Sequence, residues 1–384
     1  MTGTGAANEP EWSLLLAACS TGHRKEHFQP LLHNPLRWDV VLDLADRHAV
    51  EPLLYQALLN LKDVIPPEHL NVLAQKHQTN VHKTLMLSRE LIRIVDELSA
   101  NGIEVMPYKG LALAEAIYGD IALRQSGDID LLVRITDLPR IREGLGQLGF
   151  TQRLRWSQAE ERSYLKSGYE CVFDGTAGRN LLEVQWAIQP RFYAVDFDMA
   201  GLFRRGVRIS VAGHPMKTPS FEDLFIILSL HAAKHLWGRL IWLCDLARLA
   251  QTPTLNWNQI GSSARSLGIL RILRVTLLLA NRLLDAPIPS SAKINIPEDE
   301  GAQVLAEEIE TSILGDRAFD VESVAYFRLM LRLRERWQDR ARFVSRLVFT
   351  AGPSEWAAVR LPEQLFPLYR IVRMTRLAAK LVRA

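Results

Sequence analysis

Residues 123–134 read LRQSGDIDLLVR and place two aspartates, Asp128 and Asp130, one residue apart inside an apolar run. Side chains alternate between the faces of a strand, so both carboxylates are expected on one face while Ile129 and Leu131 pack on the other. Two like charges held this close repel, and burying them is costly unless a divalent cation lies between them. Mg²⁺ is the expected ion, because it prefers oxygen ligands and is often shared with phosphate. A solvated turn at a strand end is the other interpretation of the pair.

The segments around the aspartates predict an α/β unit. From residue 103 onward the chain has five short runs rich in β-branched and aromatic residues, namely IEVMPY, DIDLLV, FTQRLRW, YECVF and LLEVQW. Two segments of helical period, LALAEAIYG and DLPRIREGLGQLG, lie between the first three runs, and each ends at a glycine. We therefore predict a mixed sheet with helices packed on it.

The segments before and after this unit repeat apolar residues at steps of three and four, which is typical of helices. Examples are HKTLMLSRELIRIVDELSANG in the first hundred residues and SFEDLFIILSLHAAKHLW after the core. The sequence thus predicts an α+β fold in three parts: an N-terminal helical region at 1–102, a mixed-sheet core at 103–215 and a C-terminal helical domain at 216–384.

Composition restricts the class of protein. A chain of 384 residues with 48% hydrophobic residues can form two or three globular domains. The three cysteines are far apart and form no CxxC pair, so neither a disulfide framework nor a thiolate zinc site is indicated. No signal-peptide pattern and no run of eighteen apolar residues is present, which predicts a soluble protein, and a reducing cytoplasm is the expected compartment.

Four further residues are candidates for the same site. Glu183 lies mid-strand in NLLEVQW and can reach the aspartates from a neighbouring strand, and three acids can hold two metal ions. Lys109 and Gly110 lie where a strand turns into a helix, and free amides there attract phosphate while glycine permits its close approach. For Lys109, an exposed turn lysine is the alternative. Arg124 is expected to contact phosphate or to clamp the carboxylates.

These motifs together resemble the nucleotidyltransferase superfamily with the DNA polymerase β-like fold, and within it the group of uncharacterised nucleotidyltransferases. The pairs and triplets KG at 109–110, DID at 128–130 and LEV at 182–184 occupy the places of the helix-opening motif, the Asp-x-Asp strand and the third acid. DRHAVEPLLYQAL, HAAKHLWGRLIWLCDLARL and RLPEQLFPLYRIVR extend the resemblance over most of the chain. One departure is Lys-Gly in place of the usual Gly-Ser, which removes a hydroxyl able to contact a terminal phosphate.

The resemblance implies a nucleotidyltransferase core at 103–215 and metal-dependent transfer of a nucleoside monophosphate (NMP) from a nucleoside triphosphate (NTP). The acceptor would be a hydroxyl or phosphate of a small molecule, peptide or protein. Asp128, Asp130 and Glu183 would be catalytic and bind metal, with two Mg²⁺ ions expected. Glu183 would act as general base if one ion binds. Transfer of a phosphoryl or glycosyl-phosphate group to a modified peptide or saccharide, and an inactive nucleotide-binding module, are the alternatives.

The helix predicted at 220–237 carries His231, Lys234 and His235. Histidines four residues apart share a helix face, so a packed pair, a zinc site and a role at the nucleotide are three interpretations. In the family this helix commonly closes over the triphosphate. The residues expected to bind the nucleotide are therefore Lys109, Gly110, Arg124, Lys234 and His231.

Three neighbouring residues carry weaker expectations. Asp245 is predicted to orient one of the histidines or to lie on a solvated face. Trp237 and Trp242 are predicted to be core residues rather than platforms for a base.

The C-terminal end is basic although the whole chain has a net charge of only +3. Residues 321–384 hold thirteen Lys and Arg against five Asp and Glu, arranged as apolar stripes beside cationic ones. We expect water around most of these arginine heads and phosphate at a few near the cleft, and peripheral membrane contact is the third option. Nucleic-acid polymerisation is not expected, because a charge of +3 is modest for tracking a nucleic-acid backbone.

Overall fold

The computed structural model describes residues 9–22, 28–33, 35–59, 61–154, 156–175, 181–315 and 323–383. It contains the predicted mixed sheet, with strand order β1-β2-β5-β4-β3. β2 and β5 run parallel, and the other neighbouring pairs are antiparallel. The strands are β1 (Val105–Pro107), β2 (Asp128–Val133), β3 (Thr151–Gln152), β4 (Glu170–Asp174) and β5 (Leu181–Gln185).

Helices lie where the sequence predicts them inside this core. α6 (Gly110–Tyr118) follows β1 and ends at Gly119, whose φ of 69° is the left-handed conformation that favours glycine. α7 (Leu138–Gln147) connects β2 to β3, and α8 (Gln158–Ser167) precedes β4. Apolar residues of β2, β5 and α7 pack together on one side of the sheet, which leaves Asp128 and Asp130 on the other.

Both flanks of the core are helical. The N-terminal helices are α1 (Glu9–Cys19), α2 (Phe28–Leu31), α3 (Trp38–Arg47), α4 (Glu51–Leu58) and α5 (Pro67–Ala100). After the sheet come α9 (Met199–Arg205), α10 (Phe221–Lys234), α11 (Leu240–Ala250), α12 (Trp257–Leu267), α13 (Leu270–Leu284), α14 (Ser290–Asn295) and α15 (Glu300–Leu314). The last helices are α16 (Val324–Arg332), α17 (Trp337–Phe349), α18 (Pro353–Ala358) and α19 (Tyr369–Arg383).

A hairpin between α9 and α10 was not predicted. It pairs β6 (Val207–Val211) with β7 (His214–Thr218) around Gly213, which has a φ of 81°. Its first strand, VRISV, alternates apolar and polar residues and is followed by a glycine turn. The local signal for a hairpin was therefore present, and the sequence analysis missed it.

Two apolar clusters organise the molecule. One joins the sheet to the second half of α5 and to α7. The other joins the N-terminal helices to α10, α11 and α13 and continues into α16 and α17. The hydroxyl of Ser20, just after α1, donates to the carbonyl of Leu284 at 2.8 Å, so the two flanks touch directly. The polar face of the sheet thus lies against a shared helical layer, and the division into three domains stays a prediction.

Several C-terminal arginines contact carboxylates. Arg346 binds both carboxylate oxygens of Asp196 at 2.6 and 2.7 Å, and Arg332 binds Glu308 at 2.6 and 2.8 Å. The side chain of Arg332 is still 47% exposed, so water around most of the arginine heads stays a prediction. Membrane contact stays a prediction.

Two expectations from composition can also be compared with the structure. All three cysteines are buried free thiols, so no disulfide forms. Within the described ranges, no helix has both the length and the apolar character that a bilayer span requires.

Candidate functional site

A cavity of about 400 Å³ lies between the polar face of the sheet and the helical layer. Its walls are the start of α6, the loop before β2, the strands β2 and β5, and the segment from α10 into α11. The structure brings every predicted site residue to this cavity: Lys109, Gly110, Arg124, Asp128, Asp130, Glu183, His231 and Lys234.

The three acids come together through strand register. Asp130 on β2 and Glu183 on β5 are directly paired positions of two parallel strands, and Asp128 lies two residues earlier on the same face. Glu170 on β4, which the sequence analysis missed, is paired with Gln185 and adds a fourth carboxylate to this face. The spacing Asp-x-Asp and the position of the third acid thus predicted a real cluster.

Burial and mutual repulsion disfavour the charged forms of these acids. Burial, and then the charge of Asp130, raises the pKa of Asp128 above its usual range. Burial, and then the charges of Asp130 and Glu170, raises the pKa of Glu183 to about 8. A site with such an excess of negative charge favours binding of a cation.

Gln185 organises the acids, although sequence reasoning overlooked it. Its amide nitrogen lies 2.9 Å from Glu183, 3.2 Å from Glu170 and 3.4 Å from Asp130. Its amide oxygen accepts from the buried hydroxyl of Tyr108 at 2.5 Å. The sequence could have indicated this role, because Gln185 lies two residues after Glu183 on the same strand, and residues i and i+2 of a strand share a face.

Lys109 faces the acids at the start of α6. Its ammonium lies 3.0 Å from Asp130 Oδ1, and only 13% of its side chain is exposed. Burial opposes its charge, but the negative charge of Asp130 prevails and raises the pKa of Lys109. The interpretation of Lys109 as an exposed turn lysine is therefore wrong.

Ser126 places a hydroxyl beside the start of α6. A Cβ added at Gly110, whose φ is 51°, would lie 3.4 Å from Ser126 Oγ. Ser126 is 5% exposed, and its hydroxyl has no hydrogen-bond partner within the described part of the chain. The loop before β2 thus places a hydroxyl next to the Lys-Gly pair, which has none of its own. The motif alone could not reveal this, because Ser126 and Gly110 are far apart in the sequence.

The donor atoms of these residues are of the type that binds a hard divalent cation, but their present arrangement does not form a metal site. Carboxylate oxygens from Asp128, Asp130 and Glu183 are the donor type that Mg²⁺ prefers. In the described ranges, however, no group of three or more His, Cys, Asp or Glu side chains is arranged to hold a metal ion as it stands. Lys109 and Gln185 contact these oxygens instead. Side-chain rotation at the acids would be needed to bind an ion.

Arg124 has a partner that neither sequence interpretation named. Its guanidinium lies at 3.0–3.1 Å from both oxygens of Asp245, and Arg124 is only 8% exposed. Tyr118 donates to the same carboxylate at 2.8 Å. Asp245 is 1% exposed, so the prediction of a solvated face is wrong, and its described hydrogen bonds go to Arg124 and Tyr118 rather than to a histidine. Contact of Arg124 with a nucleotide stays a prediction.

His231, His235 and Trp242 pack together on the wall opposite the acids. The two histidine rings are 4.9 Å apart, and each lies 5.2–5.3 Å from the ring of Trp242. Burial is the main cause that lowers the pKa of both, to about 4 for His235, so the pair is neutral near pH 7. The two rings pack against each other as one interpretation expected, and a role of His231 at the nucleotide stays a prediction. Trp237 is a core residue as predicted, whereas Trp242 is half-buried and lines the cavity.

Two cations complete this wall. Lys234 donates to the hydroxyl of Tyr169 at 2.9 Å, and burial lowers the pKa of its ammonium. Arg239, which sequence reasoning missed, is exposed and lies 5.8 Å from the centre of the Trp242 ring. A turn with left-handed φ values of 53° and 51° at Leu236 and Trp237 brings Arg239 to the cavity. Such values are uncommon for residues other than glycine.

Comparison with known proteins identifies the family of the chain. The profile of a family described as an uncharacterised nucleotidyltransferase matches residues 34–285, which is more than half of the chain. This range includes α3 to α13 and every residue predicted for the site. No curated protein and no solved structure matches the chain. The chain belongs to the uncharacterised nucleotidyltransferase family.

Proposed function

We propose that the protein transfers an NMP group from an NTP to a hydroxyl or phosphate of a small molecule, peptide or protein, and that it depends on Mg²⁺. The observation that carries this proposal is the pairing of Asp130 with Glu183 on adjacent parallel strands, with Asp128 on the same face of the cavity. Family membership supports nucleotidyl transfer as the reaction class.

The start of α6 is the proposed site of the triphosphate. Its free backbone amides and helix dipole attract anions, and Gly110 leaves room for a phosphate to approach them. Ser126 Oγ lies next to this point and can donate to a phosphate oxygen after rotation about its Cα–Cβ bond. Lys109, now bound to Asp130, supplies positive charge at the same place.

The reaction that fits these positions is an in-line displacement at the α-phosphorus. The acceptor oxygen forms a bond to that phosphorus, the bond to the oxygen bridging the α- and β-phosphates breaks, and pyrophosphate leaves. If one ion binds, the acceptor proton would pass to the ionised carboxylate of Glu183.

Asp128, Asp130 and Glu183 would hold the metal, with two ions expected. When bound, Mg²⁺ offsets the charge on the phosphates and lowers the pKa of the acceptor hydroxyl. Gln185 would keep the carboxylates oriented through its amide, since it already contacts Asp130, Glu170 and Glu183.

Product analysis tests the proposal without knowledge of the acceptor. Water replaces a missing acceptor slowly, so nucleotidyl transfer should release AMP and pyrophosphate from ATP. ADP and inorganic phosphate would instead indicate phosphoryl transfer and contradict the proposal. Each of the four common NTPs should be supplied with Mg²⁺, and Asp130→Asn serves as the control for contaminating activity. No turnover of any NTP, together with nucleotide binding, would favour an inactive binding module.

A further inference from the structure

A second cavity of about 270 Å³, here called the side chamber, adjoins the main cavity, and Lys234 and His235 line both. Its remaining walls come from the loop before α9 and from α16, α18 and α19. Most of these residues lie beyond residue 285, where the family match ends. Nothing in the nucleotidyl transfer described so far uses the chamber.

The side chamber meets the main cavity at Lys234. Lys234 donates to Tyr169, which directly precedes β4 and Glu170. Lys234 and Glu183 both line the main cavity, so a ligand that extends from the side chamber past Lys234 would face the proposed base.

One wall of the side chamber carries more positive than negative charge. Arg373 and Arg376 both bind the carboxylate of Glu355, at 3.3 and 3.0 Å, and Glu355 is 3% exposed. Arg373 also donates to the carbonyl of Leu347, and 13% of its side chain is exposed. The side chain of Arg376 is 39% exposed, so its guanidinium keeps donors that can reach an anion.

The opposite wall is aromatic. Tyr193 and Tyr326 are buried, and their hydroxyls lie 2.6 Å apart. Tyr326 also donates to the backbone carbonyl of Lys234 at 2.9 Å. Phe192 and Phe327 add half-buried rings to the lining. Aromatic rings facing guanidinium groups suit a ligand that has a flat apolar part and an anionic part.

We propose that the side chamber binds the acceptor, and that the acceptor carries a phosphate or a carboxylate next to an aromatic or other flat group. The inference rests on the proposed function, because it assigns the second substrate of that reaction. The anionic group binds Arg376, the flat group packs on Phe192 and Phe327, and the reacting oxygen points past Lys234 towards Glu183.

Calorimetric titration of the full chain with phenyl phosphate tests the inference. Phenyl phosphate should bind, ATP should not displace it, and Arg376→Gln should weaken its binding about tenfold, the loss of roughly one charge-assisted hydrogen bond. Glu355 keeps Arg373, Ser354 and the amide of Gly352 as partners in this variant, so the fold is preserved. Arg370→Gln is the matched control, because Arg370 is exposed on α19 and lines a different cavity.

Two further titrations measure how much the anionic group and the ring each contribute to binding. Benzoate replaces the phosphate by a carboxylate, and the tighter binder of the two identifies the anionic group. Inorganic phosphate lacks the ring and should bind more weakly than phenyl phosphate. Leu377→Trp, which fills the chamber without changing charge, should abolish binding of phenyl phosphate while ATP still binds.

Three results would overturn the inference: displacement of phenyl phosphate by ATP, equal losses in Arg376→Gln and Arg370→Gln, or equal binding of phenyl phosphate and inorganic phosphate. Binding of the probe requires no turnover. A chain that releases AMP but does not bind phenyl phosphate therefore contradicts only this inference. A chain that binds phenyl phosphate but releases ADP contradicts only the proposed function.

Discussion

Two sets of buried carboxylates, both close to Arg124, differ in how their charge is compensated. Asp245 receives the guanidinium of Arg124 through both oxygens and the hydroxyl of Tyr118. Of Asp128, Asp130 and Glu183, only Asp130 forms a described ion pair, with the ammonium of Lys109 at 3.0 Å. Removing one partner of a buried ion pair is strongly destabilising, whereas an excess of carboxylates in a cavity is typical of a cation-binding site. The difference separates a structural acid from candidate catalytic ones.

The largest expected effect is on turnover in Asp130→Asn. Loss of this carboxylate should lower NTP turnover at least about a thousandfold, because charge stabilisation by a held metal ion is worth several kcal/mol. Thermal stability should change less than in Asp245→Asn, because the relief of repulsion among the acids offsets the loss of the Lys109–Asp130 ion pair. Glu143→Gln, an exposed position on α7, is the matched control. Near wild-type turnover in Asp130→Asn would contradict the assignment of the site.

Asp245→Asn should show the opposite pattern, with a large loss of stability. Arg124 would remain buried without its counter-charge, which typically costs about 3–5 kcal/mol in the free energy of unfolding. Urea denaturation measures this loss. The double variant Arg124→Met/Asp245→Leu should recover much of it, because neither charge is then buried alone. If Asp245→Asn and Asp130→Asn were equally stable, the distinction between a structural acid and the cavity carboxylates would be wrong.

The raised pKa of Glu183 should make the stability of the protein depend on pH. Between its ordinary pKa of 4.5 and its raised pKa of about 8, Glu183 holds a proton in the folded protein that the unfolded chain has released. Stability of the wild type therefore falls as pH rises through this window. Without Mg²⁺, Glu183→Gln should gain little at pH 5 and at least about 2 °C in Tm at pH 8.5. An equal gain in Tm at both pH values would show that burial and neighbouring charges do not raise the pKa of Glu183.

The smallest expected effect concerns Ser126. Ser126→Ala should raise KM for the NTP about three- to tenfold with little change in kcat, since one neutral hydrogen bond to a phosphate is lost. Stability should not decrease, because the hydroxyl has no partner in the described structure. Unchanged KM would exclude Ser126 from the triphosphate site.

Local periodicity accounts for most of what the sequence predicted correctly. Alternation along DIDLLV and LLEVQW placed Asp128, Asp130 and Glu183 on one face, and the glycine that ends LALAEAIYG marked the end of α6. These features depend on neighbouring residues in the chain, so a single sequence contains them.

Contacts between distant segments could not be predicted in the same way. Arg124 and Asp245 are separated by 121 positions, and nothing local to either residue specifies the other. Ser126 and Gly110 meet only because β2 returns beside β1, and the side chamber requires α19 to pack near α10. Such pairings follow from the packing of whole elements.

The most direct test of the account is binding of Mn²⁺, measured by electron paramagnetic resonance on the wild type and on the two aspartate variants. Mn²⁺ prefers the same carboxylate oxygens as Mg²⁺. Wild type, with a non-hydrolysable ATP analogue present, should bind Mn²⁺, and Asp130→Asn should bind it at least about tenfold more weakly, a change of 1.4 kcal/mol or more. Folded Asp245→Asn should retain wild-type affinity. Equal affinity of the wild type and Asp130→Asn would contradict the central claim that the cavity carboxylates form the metal site.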